Sequence, residues 1–117
     1  MQENTCSVCH SSAQQIKDIL PGSADIDALA DFFTLLGSPS RLKILLALDG
    51  GELCAGHLAE AVSMSPSAVS NQLKALKAAR LVTVRREGKM LYYSLADCHP
   101  REIIHQAMGH VTEDEVR

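Results

Sequence analysis

Ser63-Met64-Ser65-Pro66 opens the segment that most narrows what this chain can fold into. Ser65 brings a hydroxyl able to accept from the free amides of a first helical turn, and Pro66 suits the first helical position, where its missing N–H would have no partner anyway. The run from Ser67 to Lys77 then sets Val69, Leu73 and Leu76 on one face, the spacing of a helix with a single buried stripe. Its opposite face carries Ser67, Ser70, Asn71 and Lys74, short polar groups and a cation instead of the mixed Glu and Lys of a solvated helix. Short side chains let a helix approach base edges, and free first-turn amides can take a phosphate. After Arg80, Leu81-Val82-Thr83-Val84-Arg85 and Met90-Leu91-Tyr92-Tyr93-Ser94-Leu95 are strand-like, and Arg86-Glu87-Gly88-Lys89 between them has a glycine for the turn. Helix, tight turn, polar-faced helix and basic hairpin in succession is the layout of a winged helix-turn-helix, a mainly α fold with a β-hairpin wing. A helical bundle with an incidental hairpin leaves that order unexplained.

The flanks fit one such domain over residues 25–117, preceded by a mobile arm over 1–24 that carries Cys6, Cys9 and His10. Ile26, Leu29, Ala30, Phe33 and Leu36 recur as on a helix with one buried face, which Gly37 stops. Ser38-Pro39 starts a second helix through Leu42, Leu45 and Leu46, which Asp49-Gly50-Gly51 ends, and a shorter helix from about Cys54 to Val62 is expected to bury Leu53, Leu58, Ala61 and Val62. A last helix, from Pro100 to about Glu113, carries Ile103, Ile104, Ala107, Met108 and Val111. That stripe is broader than one small domain covers, so a homodimer formed through terminal helices is expected, as suits a reader of paired half-sites.

Charge distribution sharpens the partner. The formal net charge is −3, yet residues 65–96 hold Lys74, Lys77, Arg80, Arg85, Arg86 and Lys89 against Glu87 alone, a local +5. Double-stranded DNA is the polyanion such a patch fits, met by Ser65, Ser67, Ser70, Asn71, Lys74 and Lys77 on the helix and by Arg85, Arg86 and Lys89 on the wing. No apolar run approaches the ~20 residues of a membrane span, and the first residues have no signal-peptide pattern, so a cytoplasmic protein is expected. In that compartment Cys6, Cys9, Cys54 and Cys98 read as thiols or metal ligands rather than a disulfide framework.

Asp97, His99, His110 and Glu113 form a spaced constellation at the last helix. Eleven residues separate the two histidines, so they share a face to within about 20° but stand roughly 16 Å apart along the axis. One chain cannot close them on one ion. Two such helices packed antiparallel bring Asp97 and His99 of one copy to His110 and Glu113 of the other, a set of imidazoles and carboxylates suited to Zn(II) or Co(II). His105 lies about 140° from His110 and is read as surface or dimer packing.

The segments Glu52-Leu53-Cys54-Ala55-Gly56-His57-Leu58-Ala59 and Ser65 to Lys74, the wing through Tyr92-Tyr93, and Asp-x-His-x10-His-x2-Glu at the end together resemble the ArsR/SmtB family of metal-sensing bacterial repressors, from about Asp25 to Glu113. The resemblance implies a dimer that represses as the apo form and leaves operator DNA when Zn(II) binds at the last helix, releasing metal efflux or sequestration genes. It also implies a second site, in which Cys54 and His57 join Cys6 and His10 of the other subunit's arm around Zn(II), or with Cys9 as well around a softer ion such as Cd(II) or Cu(I). Gly56 departs from the Cys-x-Cys of the family's cadmium and lead sensors, and His57 stands where SmtB-like members carry an acid. The rival regulator is a thiol redox or persulfide sensor using Cys9, Cys54 or Cys98. No enzyme is expected, since the ligand set leaves no open coordination position and no acid or base in a pocket.

Overall fold

The computed structural model describes residues 11–113. The chain divides into two compact units between Asp31 and Phe32. The first unit holds α1, Ala13–Ile19, and most of α2, Ser23–Leu36. α1 falls within the stretch expected to be an arm. Ser12 and Gln15 make a capping box there: the Gln15 amide donates to the Ser12 hydroxyl, and the Ser12 amide to the Gln15 side-chain oxygen at 2.7 Å. Reciprocal capping fixes a short helix that has no buried residue.

α2 starts at Ser23, ahead of Asp25, and its expected buried face is largely exposed: Ile26 44%, Leu29 56%, Phe33 53%, with only Leu36 buried. An apolar stripe records that something covers it, and does not say that the same chain does.

The second unit packs around one aliphatic core. Ile44, Leu45 and Leu48 come from α3, Pro39–Leu48; Leu58 and Ala59 from α4, Ala55–Ala61; Val69, Leu73 and Leu76 from α5, Pro66–Ala78; and Leu36, Val62, Leu81, Val82 and Ile104 complete it. Two expected buried faces shift around their helices. Ile44 and Leu48 are buried in α3 while Leu46 is 37% exposed, and Ala59 is buried in α4 where Ala61 is exposed. The starts are as the caps dictate, with the hydroxyls of Ser38 and Ser65 accepting from the amides of Arg41 and Ala68.

β1, Leu53–Cys54, β2, Val82–Glu87, and β3, Met90–Leu95, form an antiparallel sheet in the order β1-β3-β2, pairing Cys54 with Tyr92 and Tyr92 with Arg85. β1 is too short to show an alternating pattern, so nothing in the sequence marks it. The hairpin turn is tighter than expected: Arg86 and Glu87 lie within β2, leaving Gly88-Lys89 as a two-residue loop with Gly88 at φ 63°.

Both helices of the helix-turn-helix end in the same way. The amides of Ser63 and Met64 donate to the carbonyls of Glu60 and Ala59, and those of Arg80 and Leu81 to Lys77 and Leu76. Ser63 and Arg80 take the left-handed conformation usually left to glycine, φ 56° and 64°. α6 runs Cys98–Thr112, two residues earlier than Pro100, because Asp97 caps it by accepting from the His99 amide. Its apolar side, with Phe33, Leu36 and Leu46, lines an open groove in which Met108 and Val111 remain 44% and 69% exposed.

Candidate nucleic-acid interface and metal half-sites

α5 is held by its apolar face. Val69, Leu73 and Leu76 are essentially solvent-free, so the helix cannot rotate without exposing them, and Ser65, Ser67, Ser70, Asn71, Lys74 and Lys77 all remain exposed on the outside. A residue that sequence reasoning passed over braces it. Arg41 Nε donates to Gln72 Oε1 at 2.7 Å and its Nη1 to the Leu35 carbonyl at 3.3 Å, joining α5, α3 and the end of α2. Its only sequence signal was a cation in the first turn of a helix rich in leucine.

On the wing the three expected cations differ. Lys89 is exposed in the turn, and Arg86 reaches only the Gly88 carbonyl, 3.3 Å away. Arg85 lies across the sheet: Nε and Nη2 each meet a Glu52 oxygen at 2.9 Å, Nη1 meets Glu87 Oε1 at 2.8 Å, and the guanidinium sits 4.8 Å from the Tyr92 ring centre. The hydrogen bonds that Arg85 donates to Glu52, then to Glu87, raise its pKa further above its ordinary range, and the same bonds hold the Glu52 carboxyl below its own.

The metal-ligand candidates fall into halves. Asp97 and His99 stand together, Oδ1 to Nδ1 3.4 Å, with side chains 53% and 75% exposed. They line a groove with Phe32, Ala79, Arg80 and Leu81, at the end of α5. His110 and Glu113 occupy the far end of α6, both exposed. Among the described residues no three His, Cys, Asp or Glu side chains of one chain gather as a metal site. Two imidazoles and two carboxylates are donors of the type Zn(II) or Co(II) takes, and the two pairs stand at opposite ends of α6.

Cys54 is a half-buried free thiol at the N-cap of α4 that makes no capping hydrogen bond, and His57, exposed, stands three residues on. That is the spacing at which a cap side chain and its third neighbour face each other. Cys6, Cys9 and His10 lie outside the described residues. Cys98 is free and exposed in the first turn of α6.

His105 bonds within the chain. Its Nε2 and the Arg101 Nε meet the two oxygens of Asp49, the C-cap of α3, His105 at 2.8 Å. Partial desolvation of Asp49 works against ionisation, but the hydrogen bonds and charges of His105 and Arg101 outweigh it and hold the pKa below its ordinary value near 3.8. A depressed carboxyl pKa contributes stability above the unfolded value and loses it as the pH falls through the folded one. Asp49→Asn is therefore expected to melt below wild type at pH 7, with the gap closing below about pH 4, as thermal melts across that range will read.

The fold and the outward polar face of α5 define a winged helix-turn-helix DNA-binding regulator. Comparison with known proteins agrees. Residues 38–84 match the family described as bacterial regulatory protein, arsR family. The chain is 40% identical over 105 residues to a transcriptional repressor SmtB homolog of Synechocystis sp., covering 87% of this chain and 80% of that one. Among solved structures, the AntR antimony-specific transcriptional repressor superposes with a TM-score of 0.76 at 31% identity, over 94% of this chain and all of that one. A homodimeric winged helix-turn-helix DNA-binding domain from Mycobacterium bovis does so with a TM-score of 0.71 at 28% identity, over 92% and 93%. The chain belongs to the ArsR family and is a DNA-binding transcriptional repressor. Among the described residues no helix is long and apolar enough to cross a membrane.

Proposed function

We propose that this protein is a homodimeric, metal-responsive repressor that holds operator DNA as the apo form and releases it when Zn(II), or Co(II) or Cd(II), binds, freeing metal efflux or sequestration genes. Asp97 and His99 of one copy with His110 and Glu113 of the other would hold the ion. The observation that carries the reading is the position of Asp97 and His99, paired at 3.4 Å in a groove shared with Ala79 and Arg80, where the DNA-reading helix ends. A change in the bearing of α6 at that point would reach α5 through the residues that close its end. The exposed Met108, Val111 and Phe33 around an apolar groove support a second copy as the cover.

Release needs only a differential affinity. The ion must favour the arrangement of half-sites that does not match successive major grooves, and by reciprocity DNA weakens ion binding by the same factor. The chain's own residues supply the link: the second ring N–H of His110, donating to a carbonyl near Arg80, would tie the last turn of one α6 to the end of an α5.

The test is fluorescence anisotropy of a labelled duplex from upstream of the protein's own gene, with reduced apo-protein and then zinc. Binding by the apo-dimer and release near one zinc per chain is the expected result. Release by cadmium, copper or an oxidant with zinc inert transfers sensing to Cys54, a reading favoured by its free, half-buried thiol beside His57.

A further inference from the structure

We infer that Arg85 is a positioning residue of the wing, clasped by Glu52, and that the DNA backbone is met by Arg86 and Lys89 instead. The inference rests on the hairpin acting as a DNA-contacting wing and goes beyond it by assigning opposite roles to neighbouring arginines. Three observations carry it. First, each nitrogen of the Arg85 guanidinium is engaged by a carboxylate: Glu52 takes Nε and Nη2, Glu87 takes Nη1, and the guanidinium lies against Tyr92. A phosphate would have to compete with two carboxylates, Glu52 holding the bidentate fit that guanidinium makes well and ammonium does not.

Second, the clasp spans the whole sheet. Glu52 immediately precedes β1, Arg85 lies in β2, and Tyr92 of β3 sits between them, in register with both Cys54 and Arg85. β1 pairs over only two residues, so the backbone ladder alone ties the hairpin weakly to the helical body there. Third, neither Arg86 nor Lys89 has a carboxylate partner among the described residues, so their charges stay available. An isolated exposed ion pair holds little, but a bidentate, networked one closing over a ring is the geometry in which such pairs do hold a structure.

The test turns on sign. Glu52→Gln removes a negative charge beside the basic wing, so simple electrostatics predicts tighter binding to a polyanion; opening of the clasp predicts weaker binding. In anisotropy with the apo-protein and the upstream duplex, Glu52→Gln is expected to weaken binding about three- to tenfold with the salt slope unchanged. Arg85→Lys is expected to weaken it equally, since it keeps the charge and gives up the fork, and the double variant to be no worse than either single. Arg86→Ala and Lys89→Ala should each lower the salt slope by about 0.9, the value of one phosphate left without its cation. Thermal melts of each variant separate weakened binding from a weakened fold.

Wild-type affinity in Arg85→Lys, equal or tighter binding in Glu52→Gln, or multiplying effects in the double variant overturns the clasp while leaving the wing. If all four single substitutions leave affinity and slope untouched, the hairpin does not meet DNA and both readings fall.

Discussion

His110→Ala will bind operator DNA like wild type and fail to release it in zinc. The imidazole is exposed near the end of α6 and takes no part in the core, so the apo-protein keeps its fold and its DNA affinity. What disappears is one of the four donors proposed for each ion, together with the ring N–H proposed to link α6 to the end of α5. Allosteric couplings of this kind are typically worth about 5- to 150-fold in affinity, and that whole factor should vanish from the zinc titration. His99→Ala should do the same from the other half of the site. His105→Ala is the internal control, because its Nε2 is paired with Asp49 and it should leave the zinc response in place. Zinc-driven release that survives in both His99→Ala and His110→Ala would remove the α6 site from the mechanism.

Ile44→Ala should be the most damaging single change to the fold. Ile44 is fully solvent-free in α3, within the cluster that joins α4, α5 and α6. Truncating such a side chain typically costs about 2–5 kcal/mol, from forgone transfer energy and the cavity left behind. Against a total of about 5–15 kcal/mol for a domain of this kind, that is a large share. Denaturant unfolding at fixed protein concentration is the measurement, since dimerisation makes stability depend on concentration. An effect below about 1 kcal/mol would mean that α3 repacks freely around the gap.

The helix-turn-helix was legible because its signals are local. Ser65, Pro66 and the Val69, Leu73, Leu76 spacing each act within a turn or two of helix, and the same residues cap, start and bury α5 in the structure. The hairpin was legible from Gly88, though its turn is two residues rather than four because Arg86 and Glu87 still pair across the ladder. β1 escaped because two residues have no periodicity, and α1 because a reciprocal cap between Ser12 and Gln15 formed a helix that no buried face announced. The stripes of α2 and α6 are plain in the sequence, but apolarity there cannot distinguish a core from a surface met by a second copy. The pairings at a distance were invisible for a different reason. Arg41 with Gln72, Arg85 with Glu52, and Asp49 with Arg101 and His105 join residues far apart in the chain, and a single sequence gives no sign of which charges will meet.

The halved ligand set has a genetic consequence. If each ion draws Asp97 and His99 from one copy and His110 and Glu113 from the other, an allele lacking the first pair and an allele lacking the second are each deaf to metal alone. In a mixed dimer of the two products, both defects fall on one site and the other is whole. Co-expression of two silent alleles should therefore restore induction in the heterodimers, whereas two alleles damaged in the same half should not complement.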